Sequence, residues 1–373
     1  MPADATGVER LRWLWGAGHA VLPLDPAAPP DHRQALLERL RPARLVTDEH
    51  PDGTALPDPR PVPDDAALVV ATSGSTGTPK GVVLSDAALA ASTAASLDRL
   101  GCRPGQSFGV PLPLHHVAGV QALRRSWALG TGGHVLPPGD PTAWAAAGAD
   151  HLALVPTQLA RALAAGVPPP PGVALLGGAA AAPDLLERAR AAGWRVVTSY
   201  GMTETCGGCV YDGQPLAGVE VALRPDGRVR VRGALLATGY LGDETPLTDA
   251  DGWFTTGDVG RATADGRLEV VGRADDVVVS GGENVPLAAV TAALADHPEV
   301  AEVAALGAPD PTWGEVVVAV VVPRDPAAPP DLDALRDHVR ARHPVAYAPR
   351  ELVVVDELPR DAMGKVTLAA LRR

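Results

Sequence analysis

The sequence predicts a mixed α/β fold: a large N-terminal domain of parallel and mixed sheets that includes a β-rich subdomain, followed by a small α+β domain. Between residues 107 and 200, short apolar runs alternate with helical stretches, which is the pattern of a parallel α/β sheet. Between residues 210 and 272, short strand-like segments are separated by turns at PDG, DADG and ADG, which indicates the β-rich subdomain. We therefore expect an N-terminal domain at 1–274 and a C-terminal domain at 275–373.

The first 65 residues contain one short helical pattern, DHRQALLERLRPARLV, between proline-rich turns. The segment that follows, residues 67–101, predicts a strand, a polar glycine loop, a second strand and an alanine-rich helix. Ser85 is placed to act as the N-cap of that helix and Gly101 to end it.

The C-terminal domain predicts two helices and three strands. The second helix, DLDALRDHVRARH, places Leu332, Leu335 and Val339 on one apolar stripe. The strands are VAEVAALGAP, GEVVVAVVVP and ELVVVDELP. The boundary before this domain is expected near residues 273–276.

Composition excludes several classes of protein. A net charge of −12 leaves no basic surface that could follow nucleic-acid phosphates. No apolar run approaches the ~20 residues that a membrane-spanning helix needs, and the N-terminus lacks the pattern of a signal peptide. Three cysteines, Cys102, Cys206 and Cys209, cannot build a disulfide framework, and the lone C-x-x-C has no second pair to complete a zinc site. We expect a cytoplasmic protein that neither binds nucleic acid nor inserts into a membrane.

Lysine is nearly absent from the chain. Of the 32 lysine and arginine residues, only Lys80 and Lys365 are lysines. An ammonium is a compact point charge that fits where the broad planar guanidinium does not. We therefore expect both lysines to be chemically required.

The first lysine lies in a glycine- and hydroxyl-rich loop, TSGSTGTPKG, at residues 72–81. Backbone N–H groups in such a loop, when it follows a buried strand, can surround polyphosphate oxygens. The loop does not have the Walker A spacing, because Pro79 stands where the second glycine should be. Taken alone, a short Ser/Gly motif is more often a flexible turn.

Seven stretches, in this order, resemble the motifs of the adenylate-forming superfamily, which includes acyl-CoA synthetases, peptide-synthetase adenylation domains and luciferases. They are TSGSTGTPKG (72–81), PLHHVAG (113–119), LLGGA (175–179), SYGMTET (199–205), GWFTTGDVG (252–260), GRADDVVVSGGENV (272–285) and PRDAMGK (359–365). Ordered matches over most of a chain are far more specific than one motif. Within the superfamily, LVPTQLAR (154–161) and YGMTETCGGCVYDG (200–213) resemble the o-succinylbenzoate–CoA ligases of menaquinone biosynthesis, of the short actinobacterial type.

The resemblance implies a site for ATP and Mg²⁺. The residues that it implies for ATP binding are Thr72, Ser73, Gly74, Ser75, Thr76, Gly77, Lys80, Gly177, Gly178, Ala179, Ser199, Tyr200, Gly201, Met202, Thr203, Asp258 and Arg273. Tyr200 would face the adenine, Thr203 would contact the α-phosphate, and Asp258 would accept the ribose hydroxyls. Glu204 would offer Mg²⁺ a hard oxygen ligand. Lys365 would offset the repulsion between the attacking carboxylate and the α-phosphate.

The resemblance also implies a site for an aromatic dicarboxylate. Arg161 is the candidate to bind the unreactive carboxylate with two hydrogen bonds, although a surface arginine on a helix is the common alternative. His116 is expected near the reacting carboxylate, and His115 is an equally adjacent alternative.

Coenzyme A is the implied second substrate. The stretch that contains Gly281 and Gly282 would line the path of its thiol arm, whereas Lys365 serves adenylation. Both lie in the C-terminal domain, so this domain must be mobile and reorient between the two half-reactions, with Asp275 as the hinge. The sequence leaves two alternatives open: another aryl- or acyl-CoA synthetase, or a stand-alone adenylation enzyme that loads a carrier protein.

The chain departs from the family at its N-terminus. About seventy residues precede the phosphate loop, where most relatives are expected to have roughly twice as many. Either the sheets close more economically here, or a second copy of the chain covers the gap in a homodimer.

Overall fold

The computed structural model describes residues 4–73 and 79–359. The α-helices in these residues are α1 (Ala5–Gly16), α2 (Pro30–Leu40), α3 (Asp86–Leu100), α4 (Val117–Ala128), α5 (Pro141–Ala146), α6 (Pro156–Ala164), α7 (Pro183–Ala191), α8 (Leu287–Ala295) and α9 (Leu332–Arg340). Single turns of 3₁₀ helix lie at Thr203–Thr205, Ala274–Asp276 and Val345–Tyr347.

The β-strands are mostly short. They are β1 (Arg44–Leu45), β2 (Thr54–Ala55), β3 (Ala66–Ser73), β4 (Pro79–Ser85), β5 (Phe108–Val110), β6 (His134–Val135), β7 (His151–Leu154), β8 (Ala174–Leu176), β9 (Val196–Met202), β10 (Gly207–Tyr211), β11 (Gln214–Pro215), β12 (Val219–Leu223), β13 (Arg228–Gly233), β14 (Gly239–Tyr240), β15 (Phe254–Ala262), β16 (Leu268–Arg273), β17 (Val277–Ser280), β18 (Glu283–Pro286), β19 (Val300–Asp310), β20 (Gly314–Pro323) and β21 (Glu351–Val354). The predicted mixed α/β fold is confirmed.

The largest sheet has seven strands in the order β11-β10-β9-β8-β7-β5-β6. Strands β5 to β9 pair in parallel, and β10 and β11 continue the sheet in antiparallel pairing. Helices connect the parallel strands, as the alternation of apolar and helical segments predicts. Buried side chains from β7, β8, α6 and α7 form a core around Trp144 and Trp194.

A smaller antiparallel sheet, in the order β14-β4-β3, contains the strands on either side of the predicted phosphate loop. Thr72 pairs with Lys80 in register, so the two strands enter and leave the loop as a hairpin. Strand β4 leads directly into α3, where Ser85 accepts a hydrogen bond from the Ala88 amide at 3.1 Å. Gly101 ends α3 at a φ of 67°. Both predicted ends of α3 are confirmed.

Two further sheets follow in sequence. The first has the order β12-β13-β15-β16, and β15 pairs antiparallel with β16. The second has the order β18-β17-β20-β19, with β21 parallel to β20. Helix α9 contributes Leu335 and Val339 to the core beside this second sheet, on the stripe that the sequence predicts.

Internal contacts divide the described chain into two units. The first ends at Val221 and also includes Val231–Phe254, and the second comprises Ala222–Arg230 and the described residues from Thr255 onward. The expected division into domains 1–274 and 275–373 stays a prediction. In the described part of the chain, no helix is both long and apolar enough to cross a membrane.

Candidate functional site

Two neighbouring parallel strands end where the sequence predicts adenine binding. Strand β8 ends just before Gly177, whose amide donates to the Leu154 carbonyl at 3.0 Å. Strand β9 carries Ser199 and Tyr200 beside it, and a Cβ placed on Gly177 would lie 3.5 Å from Ser199 Cβ. Ligands bind at the carboxyl ends of strands in open α/β sheets. The structure therefore brings the LLGGA and SYGMTET stretches together at the edge where a ligand is expected.

Backbone geometry accounts for the glycines of these stretches. Gly178 has a φ of +79°, which L side chains rarely adopt. At Gly201, an added Cβ would lie 2.0 Å from the Gly207 carbonyl oxygen, so no side chain fits between β9 and β10. Ala179 is exposed after Gly178, and Met202 ends β9 half-buried.

The sharp turn after β9 positions Thr203 and Glu204. Thr205 fixes this 3₁₀ turn, because its buried hydroxyl accepts from the Met202 amide at 2.9 Å and donates to the Gly207 carbonyl at 2.6 Å. The backbone carbonyl of Glu204 accepts from the Ala237 amide at 2.8 Å. The Glu204 carboxylate is thus presented from a rigid turn.

A tyrosine outside the seven family-like stretches contacts one residue in each of two of them. Tyr240 in β14 donates its hydroxyl to Glu204 Oε1 at 2.8 Å. The Nζ atom of the exposed Lys80 lies 4.9 Å from the centroid of the Tyr240 ring. The predicted phosphate-binding lysine and the predicted metal-binding carboxylate therefore meet at one side chain. No sequence pattern marks this residue, because its role depends on the pairing of β14 with β4.

Asp258 and Arg273 form a pair in the second unit. They are register partners on β15 and β16, and Arg273 Nη1 lies 3.3 Å from Asp258 Oδ1. The Asp258 side chain is 12% exposed, whereas that of Arg273 is 54% exposed. The Asp258 amide donates to Thr256 Oγ1 at 3.0 Å, which fixes the strand at this point. The two side chains are therefore in contact, and their roles in binding the ribose stay predictions.

The two histidines lie at the start of α4. His116 is the N-cap residue, and its ring centroid is 4.4 Å from that of His115. The Nε2 atom of His115 is 3.9 Å from Asp25 Oδ2. Burial lowers the pKa of both imidazoles, and the neighbouring His116 lowers that of His115 further, so both are neutral at pH 7. Neutral imidazoles can donate or accept a hydrogen bond without adding charge to a substrate site.

Arg161 lies exposed on α6. Among the described residues, no hydrogen bond or ion pair joins its guanidinium to either histidine. The choice between His115 and His116, and the role of Arg161, stay predictions.

The predicted thiol-path glycines form the turn between β17 and β18. Gly281 and Gly282 have φ values of +60° and +86°, and the Gly281 amide donates to the Trp313 carbonyl at 3.0 Å. Asp275, the predicted hinge, lies in the 3₁₀ turn Ala274–Asp276. Thr72 is half-buried in β3, and the backbone of Ser73 ends that strand. Four predicted ATP-binding residues and the predicted catalytic lysine lie outside the described residues: Gly74, Ser75, Thr76, Gly77 and Lys365.

The chemistry of the donors at Glu204 fits Mg²⁺. Magnesium is commonly bound by one or two carboxylates together with substrate phosphates rather than by a complete protein cage. Over residues 4–73 and 79–359, no group of three or more His, Cys, Asp or Glu side chains is arranged to hold a metal. A single carboxylate at the candidate nucleotide site is therefore a suitable protein ligand for a metal that arrives with ATP.

The C-x-x-C pair packs in the core. Cys206 and Cys209 are both fully buried. Burial raises the pKa of the Cys206 thiol to about 12 and that of Cys102 to about 11, so neither forms a thiolate at neutral pH.

Native protein is therefore expected to react slowly with iodoacetamide at pH 8, and protein unfolded in urea should react at all three cysteines. Mass spectrometry of the alkylated peptides measures the difference. Rapid native labelling of Cys206 would contradict the packing role.

An α/β unit in which the predicted phosphate-binding lysine and the predicted metal-binding carboxylate contact the same tyrosine is what we expect of a nucleotide-binding enzyme. Residues 49–284 match the AMP-binding enzyme family, and residues 289–365 match the AMP-binding enzyme C-terminal domain. The chain belongs to the AMP-binding enzyme family.

Similar sequences include CoA ligases with different acids. A "Probable 2-succinylbenzoate--CoA ligase" of Mycobacterium tuberculosis is 43% identical over 84% of this chain and 85% of its own length. The "2-succinylbenzoate--CoA ligase" of Bacillus licheniformis is 34% identical over 87% of this chain and 74% of its own. The "Sulfoacetate--CoA ligase" of Cupriavidus necator is 35% identical over 90% of this chain and 75% of its own.

Solved structures of o-succinylbenzoate CoA synthetase from Bacillus subtilis share the fold. The complex with the acyl-adenylate intermediate has a TM-score of 0.73 and 28% identity, covering 100% of this chain and 81% of that one. The complex with ATP and magnesium ion has a TM-score of 0.71 and 29% identity, covering 98% and 81%.

Proposed function

We propose that this protein is an ATP-dependent acid–thiol ligase that adenylates o-succinylbenzoate and transfers the acyl group to coenzyme A, a step of menaquinone biosynthesis. The observation that carries this proposal is the similarity to a 2-succinylbenzoate–CoA ligase at 43% identity over most of both chains. The neighbouring structure with a bound acyl-adenylate supports the same chemistry.

The reaction has two steps. A carboxylate oxygen of the acid attacks the α-phosphorus of ATP, and the bond to the bridging oxygen breaks to release pyrophosphate. The thiol of coenzyme A then releases its proton to solvent as its sulfur attacks the acyl carbonyl carbon, the bond from that carbon to the phosphate oxygen breaks, and AMP leaves. Both steps move negative charge onto phosphate oxygens, so the protein must supply hydrogen-bond donors and cations there.

The residues of the site suit these needs. Thr203 presents a hydroxyl from a rigid turn for the α-phosphate, and Lys80 offers an ammonium for the β- and γ-phosphates. Tyr200, with the glycine-rich backbone of LLGGA, would hold the adenine. Asp258 would accept the ribose hydroxyls, with Arg273 beside it.

Glu204 would hold Mg²⁺ through its carboxylate, and the bound ion would offset negative charge on the phosphates. Lys365 would place its ammonium between the attacking carboxylate and the α-phosphate. We further propose that the C-terminal domain reorients about Asp275 between the two steps, so that Gly281 and Gly282 then line the path of the thiol.

Release of pyrophosphate across a panel of acids tests the function. The panel contains o-succinylbenzoate, sulfoacetate and indoleacetate, because similar proteins are named as CoA ligases of these three acids. We expect the highest kcat/KM with o-succinylbenzoate and formation of its CoA thioester when coenzyme A is present. Preference for another acid would favour a different acyl-CoA synthetase, and turnover without thioester would favour loading of a carrier protein.

Arg161→Ala is expected to raise the KM for o-succinylbenzoate by about 10- to 100-fold, because hydrogen bonds between charged groups contribute about 1.5–3 kcal/mol. The KM for ATP should not change. Arg188→Ala on α7 is the matched control, since Arg188 is also a helix-surface arginine, paired with Asp184 at 3.5 Å. An unchanged KM in the Arg161 variant would contradict the proposed binding of the second carboxylate.

A cytoplasmic location follows from the predicted pathway step and stays part of this proposal. A homodimer also stays part of this proposal. Sedimentation of the purified protein measures the oligomeric state directly.

A further inference from the structure

One tyrosine links two residues of the proposed nucleotide site. Tyr240 donates its hydroxyl to Glu204 Oε1, and its ring lies beneath the Lys80 ammonium. From these contacts we infer that Tyr240 is a positioning residue: it holds the Glu204 carboxylate for the magnesium–ATP complex and keeps the Lys80 ammonium next to it. This inference rests on the proposed function of the site.

The backbone on either side of Tyr240 is hydrogen-bonded to the segments that carry Lys80 and Glu204. The Leu241 amide donates to the Gly81 carbonyl at 2.7 Å, directly after Lys80 in β4. The Ala237 amide donates to the Glu204 carbonyl at 2.8 Å. A single short segment thus ties the strand of the lysine to the turn of the glutamate. The Tyr240 ring is half-buried and packs against the core that includes Val82 and Leu84, and this packing restricts the motion of the side chain.

The hydroxyl group has a specific effect on the carboxylate. It occupies one lone pair of Oε1 and thereby restricts rotation of the carboxylate. Within residues 4–73 and 79–359, Oε2 makes no hydrogen bond to a side chain, so its lone pairs can be offered to a hard cation. Because the phenol is neutral, it places no positive charge against the Glu204 carboxylate, as a lysine or arginine at this position would. A hydrogen-bonding partner behind a metal-binding carboxylate typically changes metal affinity by about 10- to 100-fold.

The aromatic face acts on the lysine in a different way. A ring attracts an ammonium through its π electrons without supplying a formal charge. Lys80 is therefore held by a neutral group, against the ring whose hydroxyl contacts Glu204. The tyrosine brings a cation and an anion to the same place through a neutral side chain.

Tyr240→Phe tests the inference, because it keeps the ring and removes the hydroxyl. Calorimetric titration without any acyl acid measures three Kd values: ATP with Mg²⁺, ATP with EDTA, and AMP. We expect the variant to bind ATP with Mg²⁺ about 10-fold more weakly than the unmodified protein. Binding of AMP and of magnesium-free ATP should be unchanged. Equal Kd values for ATP with Mg²⁺ would overturn the inference.

A double-mutant cycle with Glu204→Gln tests whether Tyr240 affects the binding of ATP with Mg²⁺ through Glu204. When Glu204 is already replaced, Tyr240→Phe should cause no additional loss in affinity for ATP with Mg²⁺. A loss of the same size in both backgrounds would mean that Tyr240 does not act through Glu204, and the inference would fail.

Tyr211→Phe is the matched control for loss of a tyrosine hydroxyl. The Tyr211 hydroxyl lies 2.8 Å from Ser96 Oγ in the buried part of the same unit. This variant should lower the melting temperature and leave all three Kd values unchanged. Because no acyl acid is present, these Kd values do not depend on which acid the protein activates. If the wild-type protein released no pyrophosphate with o-succinylbenzoate, that result would refute the proposed function and would leave the inference about Tyr240 standing.

Discussion

Lys365→Ala is expected to lower the rate of adenylate formation by about 100-fold or more, while thioester formation from pre-made acyl-adenylate stays near the wild-type rate. The ammonium is proposed to act where negative charge develops on the α-phosphate, and removal of one such donor typically costs a factor of this size. Pyrophosphate release measures the first step, and thioester formation from synthetic adenylate measures the second.

Lys365→Arg separates charge from shape. Arginine keeps the positive charge but carries a broader planar group, so we expect it to restore little of the adenylation rate. The chain uses arginine at 30 of its 32 basic positions, which makes this replacement the informative one. Full activity of Lys365→Arg would show that charge alone is needed, and undiminished adenylation by Lys365→Ala would refute the catalytic role.

Gly201→Ala is expected to destabilise the protein by about 1–3 kcal/mol and to weaken ATP binding severely. The added Cβ would lie 2.0 Å from the Gly207 carbonyl oxygen and 2.7 Å from Gly208 Cα. Both are backbone atoms of β10, so β9 and β10 must separate to relieve the overlap. Tyr200 and Glu204 lie on either side of this position and would move with the strand. Urea unfolding and calorimetric titration with ATP measure the two effects.

Gly177→Ala is the control, since it changes a glycine directly after the adjoining strand β8. Its Cβ would meet Ser199 at 3.5 Å, an ordinary contact, and the fold should tolerate it. If the backbone at Gly177 approaches the adenine closely, ATP binding should still weaken without loss of stability. A Gly201 variant as stable as the Gly177 variant would contradict the steric argument.

Local patterns predicted much of the fold. The alternation of apolar and helical segments predicted the parallel strands β5 to β9, and the Ser85 and Gly101 signals predicted both ends of α3. Helix α1 was missed, because only Gly7 and Leu11 on it are buried and its apolar periodicity is weak. Its start is fixed instead by Asp4, which accepts from the Gly7 amide at 2.9 Å.

The sequence motifs predict which residues belong to the candidate site, but they do not predict which of its side chains contact one another. Glu204 and Lys80 could be selected because each lies in a recognisable stretch. Tyr240 could not, since it reaches them through the pairing of a two-residue strand with a strand far away in sequence. Likewise, nothing in a linear sequence shows that Asp258 and Arg273 are register partners. Such contacts depend on long-range strand pairing, which local propensity does not encode.

The placement of β14 also constrains how the chain is made. Strand β4 lies in the first quarter of the sequence, yet its neighbour β14 is synthesised only after all seven strands of the largest sheet. Until then β4 has an open edge, and exposed strand edges invite association between nascent chains. Fragments that stop before Gly239 should therefore aggregate, and those that extend past Leu241 should gain solubility.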